Sequence, residues 1–162
     1  QTMLLWGAGC AAYVALLVWG MDMLRNDPAR AGSAATALGI GTGGAALVGA
    51  SALLGQYGLS IGSAAAALAF FYMVSNKPFP PGRIFTLPIA LIAGLTGCLA
   101  VLSAKLPWYV LPVLAAIPIA AHLVPLPGKS MRINIPLLLL LTFAFTAAAI
   151  YLAWQSAGDV PY

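Results

Sequence analysis

The side chains able to do acid–base, nucleophilic or metal chemistry are few in this sequence, and they are scattered. There is one histidine, His122, and the only carboxylates are Asp22, Asp27 and Asp159, with no glutamate. Asp22 lies one helical turn before Arg25, the spacing of an i,i+3 ion pair. Asp27 precedes Pro28 in a polar turn and Asp159 is near the end of the chain, so neither forms the paired carboxylates of an acid–base site. A proton or sodium relay through a membrane needs an acidic station in mid-bilayer, and none of the three is placed there. A serine nucleophile would need His122 at its own depth, but Ser60, Ser63 and Ser103 fall toward the opposite end of their segments. Cys10 and Cys98 lie in different apolar stretches with no CxxC and no Cys/His cluster, so free thiols packing as small apolar groups are expected. A disulfide would require those two stretches to touch at matching depth. No metal site and no catalysis within this chain alone are expected.

His122, the one histidine, lies inside the fifth apolar segment, which makes it a candidate for proton handling or ligand binding. The alternative is a neutral imidazole bonded to a carbonyl freed by Pro118 or Pro125, since proline removes a helical N–H donor. Together with Phe70, Phe71 and Tyr72, His122 supports a pigment- or quinone-binding reading. Otherwise no cofactor is predicted beyond bound lipid.

The elements that must position these residues are membrane helices. Only 6% of the 162 residues are charged and 62% are hydrophobic, against roughly 25% charged in a soluble domain, and mean hydropathy is +1.00. About 20 apolar residues cross a bilayer as a helix. Six such stretches are expected, over 3–24, 33–54, 59–74, 84–104, 108–126 and 133–154. No stretch alternates with period two, which excludes a β-barrel pattern, and backbone groups in lipid must bond within the segment. The fold class expected is therefore all-α: a polytopic bundle of six transmembrane helices with short loops, forming one transmembrane domain over 1–162. The first apolar stretch is too long, and lacks the basic flank, for a cleavable signal peptide; a start methionine or short leader is expected to precede Gln1.

Three prolines and a glycine within 75–83 make the strongest break and suggest a 3+3 division, the arrangement of inverted-repeat transporters. Gly9-Cys10-Ala11-Ala12 and Gly97-Cys98-Leu99-Ala100 are its only sequence echo. Another turn is expected at Gln56-Tyr57-Gly58.

The net charge of +4 comes from single basic residues at segment ends, which fits topology anchors and lipid contact, not nucleic acid. Arg25, Arg30, Lys77, Arg83, Lys129 and Arg132 fall in the connections after the first, third and fifth stretches, and only Lys105 on the other side. The positive-inside rule then puts those connections in the cytoplasm and both termini on the outer side of a bacterial inner membrane.

Small residues recur at helical spacing: Gly39 with Gly43, Ser51 with Gly55, Gly58 with Gly62. Such faces let backbones approach closely in lipid, either within the chain or against a partner subunit. Gly39-Ile40-Gly41-Thr42-Gly43-Gly44 matches GxGxxG, but no strand precedes it and no acidic residue follows about 20 positions later, so it is not a dinucleotide fingerprint. Pro112 and Pro118 are expected to kink the fifth helix, whereas Pro88 and Pro136 are expected near helix starts.

Three functions follow as expectations. The first is a non-catalytic subunit that packs through its Gly/Ala-rich helices onto other membrane proteins. The second is a small permease, or half of one, for a neutral or apolar solute or lipid; the hydroxyls of Thr36, Thr42, Ser51, Ser63, Thr86, Thr96, Ser103, Thr142 and Thr146 are too weak and scattered for an ion path. The third is the pigment or quinone subunit.

Overall fold

A computed structural model describes residues 2–77, 79–104, 106–126 and 130–157. Lys105, Lys129 and Asp159, which carry part of the charge reading, lie outside the described residues. The described residues contain six helices and no strand: α1 Thr2–Met23, α2 Pro28–Gly49, α3 Ala52–Ser75, α4 Gly82–Ala104, α5 Val110–Leu123 and α6 Met131–Ala157. All but α5 are long and apolar enough to cross a membrane.

The fifth stretch departs from expectation. Instead of a helix over 108–126, α5 has 14 residues, about 21 Å at 1.5 Å per residue, short of a hydrocarbon core of about 30 Å. Proline explains its limits. Pro107 stands in the turn before it, and Pro125 lacks the N–H that would continue it. Pro112 is not an internal kink: it sits in the first turn, where its missing N–H would have had no partner. Pro118 is internal, and its ring is received by α1, where a methyl on Gly20 would stand 3.0 Å from Pro118 Cγ. Pro88 and Pro136 are inside α4 and α6, because those helices begin earlier than their apolar stretches.

The turn expected at 56–58 is also displaced. Gln56, Tyr57 and Gly58 are helical, and the chain reverses at Ala50-Ser51 instead. Ser51 is extended (φ −151°, ψ 134°) at the start of α3. It therefore shares no helix face with Gly55, contrary to the small-residue pairing read from spacing. The glycines that look like turn formers are contact points: α2 and α3 run antiparallel from the reversal, with Gly43 opposite Gly58 and Gly39 opposite Gly62.

α2 is the axis of the bundle. It is buried along most of its length, and α3, α4, α5 and α6 all pack on it. Its Gly and Ala content is what permits this, because a thin helix lets four neighbours approach its backbone. One apolar core draws Leu17, Leu38, Ala65, Ala93, Leu114 and Ala149 from all six helices, so α1–α3 and α4–α6 interleave around a common centre. Small residues along α2 make van der Waals packing and close backbone contact the dominant interactions there. Three buried threonine hydroxyls are absorbed by carbonyls: Thr36 donates to Gly32 O at 2.8 Å, Thr142 to Leu138 O at 2.8 Å, and Thr146 crosses from α6 to Ala37 O of α2 at 2.9 Å.

Candidate functional site

Three regions hold the residues singled out by sequence. The first is one end of the bundle, where α1, α3 and α5 finish and α2, α4 and α6 begin. Contacts at this end tie the helices in pairs. Gly82 N donates to Arg25 O at 3.1 Å, joining α1 to α4. Met131 N donates to Asn76 Oδ1 at 3.1 Å, joining α3 to α6. Arg30 joins α2 to α5. Arg25, Arg30, Lys77, Arg83 and Arg132 therefore share this end. Asp22 accepts from Arg25 at 3.0 Å, the expected i,i+3 pair, and also from Arg83 Nε at 2.8 Å, a partner that spacing could not reveal. Asp27 is the N-cap of α2, accepting from Ala29 N and Arg30 N at 3.0 and 3.2 Å, as an aspartate at this position does.

Arg30 does more than anchor. Its side chain is only 18% exposed. It is held by Asp27 at 3.1 Å and donates to the carbonyls of Ala121, His122 and Val124. Pro125 is the residue whose N–H would have bonded Ala121 O in a continuing helix, so the guanidinium caps carbonyls that proline leaves open. His122 stands in this last turn with its side chain exposed rather than enclosed in mid-helix. Phe70 and Phe71 are exposed on α3, which packs on α2, α4 and α6. Tyr72, by contrast, is buried in the apolar cluster against which Val124 and Leu126 pack.

The second region is the glycine seam. A Cβ on Gly39 would stand 2.5 Å from Gly62 Cα, and one on Gly58 would stand 2.5 Å from Gly43 Cα. A Cβ on Gly55 would meet Leu47 Cα at 2.9 Å. Each small-residue face is filled by the other within this chain, so these glycines present no free surface to a partner subunit.

The third region was not foreseen. A half-open groove of about 520 Å³ runs along α1 from Leu5 to Leu16, closed on its other side by α5 and by Val101 of α4. Small side chains hollow it: Gly9, Ala12, Pro112 and Ala115. Gly9 has open space where a Cβ would be. Trp6 of α1 and Trp108 of the turn before α5 line it from opposite sides, and Tyr13 lies in its wall. Cys10 borders this groove and a second apolar cleft between α1 and α4, which Cys98 also lines. The two cysteines thus meet at matching depth as free thiols, Cys98 Sγ lying 3.7 Å from Cys10 O.

Of the residues singled out by sequence, Cys10 and Pro112 line this groove. Gly9, Tyr13 and Trp108 carried no signal, because the groove exists only where α1 and α5 come together. The arrangement can enclose an apolar molecule from the side. Comparison with protein families, with curated proteins and with solved structures finds no match for this chain.

Proposed function

We propose that this is an integral membrane protein that holds a neutral, lipid-like molecule in the groove between α1 and α5, as a small permease or lipid-handling protein would. The observation that carries this reading is the groove itself: apolar walls, a floor of small residues and indole rings on both sides. A pocket of this kind fits an apolar solute better than an ion. In the same reading the helices lie in a bacterial inner membrane, with the end bearing Arg25, Arg30, Lys77, Arg83 and Arg132 in the cytoplasm, as the positive-inside rule requires. Both termini then lie outside.

The test is direct. Purify the protein in mild detergent, extract it with organic solvent and weigh the extract by mass spectrometry, beside Gly9→Leu. A Cβ at Gly9 would meet nothing within 4 Å, so the leucine is expected to project into the groove and fill it. The wild type is expected to retain an apolar molecule in near-stoichiometric amount, and Gly9→Leu to lose it at unchanged thermal stability. Equal retention by both would defeat the reading.

A second reading, a non-catalytic subunit of a larger membrane complex, is supported by the exposure of α1, whose Met3, Leu4 and Leu5 have little of the chain against them. A partner helix would then lie along α1 and occupy the same groove. Stoichiometric co-purification of a second membrane protein, abolished by Gly9→Leu, favours this alternative over a small ligand.

A further inference from the structure

We propose that the ligand of this groove belongs to the quinone class: a neutral ring bearing carbonyl oxygens on an apolar tail, with the Tyr13 hydroxyl as the hydrogen-bond donor to one carbonyl. The inference rests on the groove reading above and adds to it the chemistry of the head group.

Its basis is an unmet donor. Tyr13 is 7% exposed, and its hydroxyl has no hydrogen-bond partner among the described residues. A buried tyrosine hydroxyl ordinarily has one, because leaving such a group unpaired forfeits its hydration without return. Room for the hydroxyl is made by α4: a Cβ on Gly97 would stand 3.3 Å from it and 3.1 Å from Leu111 Cδ2. Leu111 is a groove wall that lies against that same point. In this proposal the Leu111 side chain turns aside to bring a ligand carbonyl to the hydroxyl.

The surroundings select the head group. Trp6 and Trp108 offer flat aromatic faces suited to a planar ring. A phosphate head group would need cations, and the described basic residues are gathered where α1 ends, whereas Trp6 and Trp108 stand toward the end where α1 begins and Tyr13 is at its middle. A neutral acceptor on a flat ring meets the donor, the indoles and the apolar walls together.

The experiment measures binding of decylbenzoquinone and of decylbenzene, which has the same tail on a flat six-membered ring but no carbonyl, by native mass spectrometry of the detergent-solubilised protein. Wild type, Tyr13→Phe and Gly9→Leu are compared. One hydrogen bond predicts about fivefold tighter binding of the quinone by the wild type. Tyr13→Phe should bind the quinone no better than decylbenzene, with its decylbenzene affinity unchanged. Because that variant removes an unpaired hydroxyl, its melting temperature without ligand should be equal to or above that of the wild type, so weak binding cannot be put down to misfolding. Equal affinity of the wild type for both probes, or unchanged quinone binding by Tyr13→Phe, would overturn the quinone assignment while leaving the groove reading intact. No binding of either probe by the wild type, or undiminished binding of both by Gly9→Leu, would overturn both.

Discussion

Arg30 shows how one side chain in an apolar bundle can hold two helices. Pro125 removes a donor, the end of α5 is left with open carbonyls, and the guanidinium of Arg30 supplies N–H groups to three of them while Asp27 balances its charge. A planar fork does this better than an ammonium. Arg30→Ala is expected to destabilise the protein by about 3 kcal/mol, the scale of lost charge-assisted hydrogen bonds in a partly buried setting. Arg30→Lys should recover only part of that. Arg132, exposed at the same end, provides the control, and Arg132→Ala should change stability by less than about 0.5 kcal/mol. Equilibrium unfolding in mixed detergent micelles measures all three, and equal losses for Arg30→Ala and Arg132→Ala would refute the capping role. The Asp22 pairs with Arg25 and Arg83 are more exposed, so Asp22→Asn should change stability little, and less as salt rises. The sequence made Asp22–Arg25 legible, because three residues on a helix settle proximity. It could not pair Arg30 with the end of α5, because nothing local relates residues so far apart in the chain.

At the scale of the helix pair, glycine acts in two opposite ways. Gly43 is pressed against the backbone of α3, and any Cβ there meets Gly58 and Leu59. Gly43→Ala is therefore expected to force α2 and α3 apart and lower stability by about 1–3 kcal/mol. Gly9 has nothing within 4 Å of a built Cβ, and Gly9→Ala should be neutral or stabilising by up to about 1 kcal/mol from helix propensity. Melting temperatures of the two variants in one detergent compare them. A milder effect at Gly43 than at Gly9 would mean the seam is not tight. The repeated glycines of the second and third apolar stretches were legible as close-packing points. Their pairing was not, because the reversal was expected at 56–58, where glycine and a polar residue imitate a turn. Moving the turn to Ala50-Ser51 is what brings Gly39 to Gly62 and Gly43 to Gly58. Close packing inside one chain also leaves those faces nothing to offer another.

For the whole molecule, the ordering of charge is the strongest regularity. The described arginines and Lys77 collect at one end, and tryptophans Trp6, Trp108 and Trp154 stand toward the other as interfacial anchors would. Six helical segments were legible from apolar runs alone. The shortness of α5 was written in Pro107 and Pro125 but was masked by continuous hydrophobicity across them. The central place of α2 was half visible in its small residues. The groove was invisible, being a property of how α1 and α5 lie side by side and not of either segment.

All of these readings depend on the bundle being embedded in a bilayer with its arginine-bearing end in the cytoplasm, and cysteine labelling tests that directly. With Cys10 and Cys98 replaced by alanine, Lys77→Cys and Gln155→Cys each place one exposed thiol at opposite ends of the bundle. A membrane-impermeant maleimide added to intact spheroplasts is expected to modify Gln155→Cys at once and Lys77→Cys only after lysis. Labelling of both from the same side, or release of the chain from membranes by alkaline carbonate without detergent, would contradict the account.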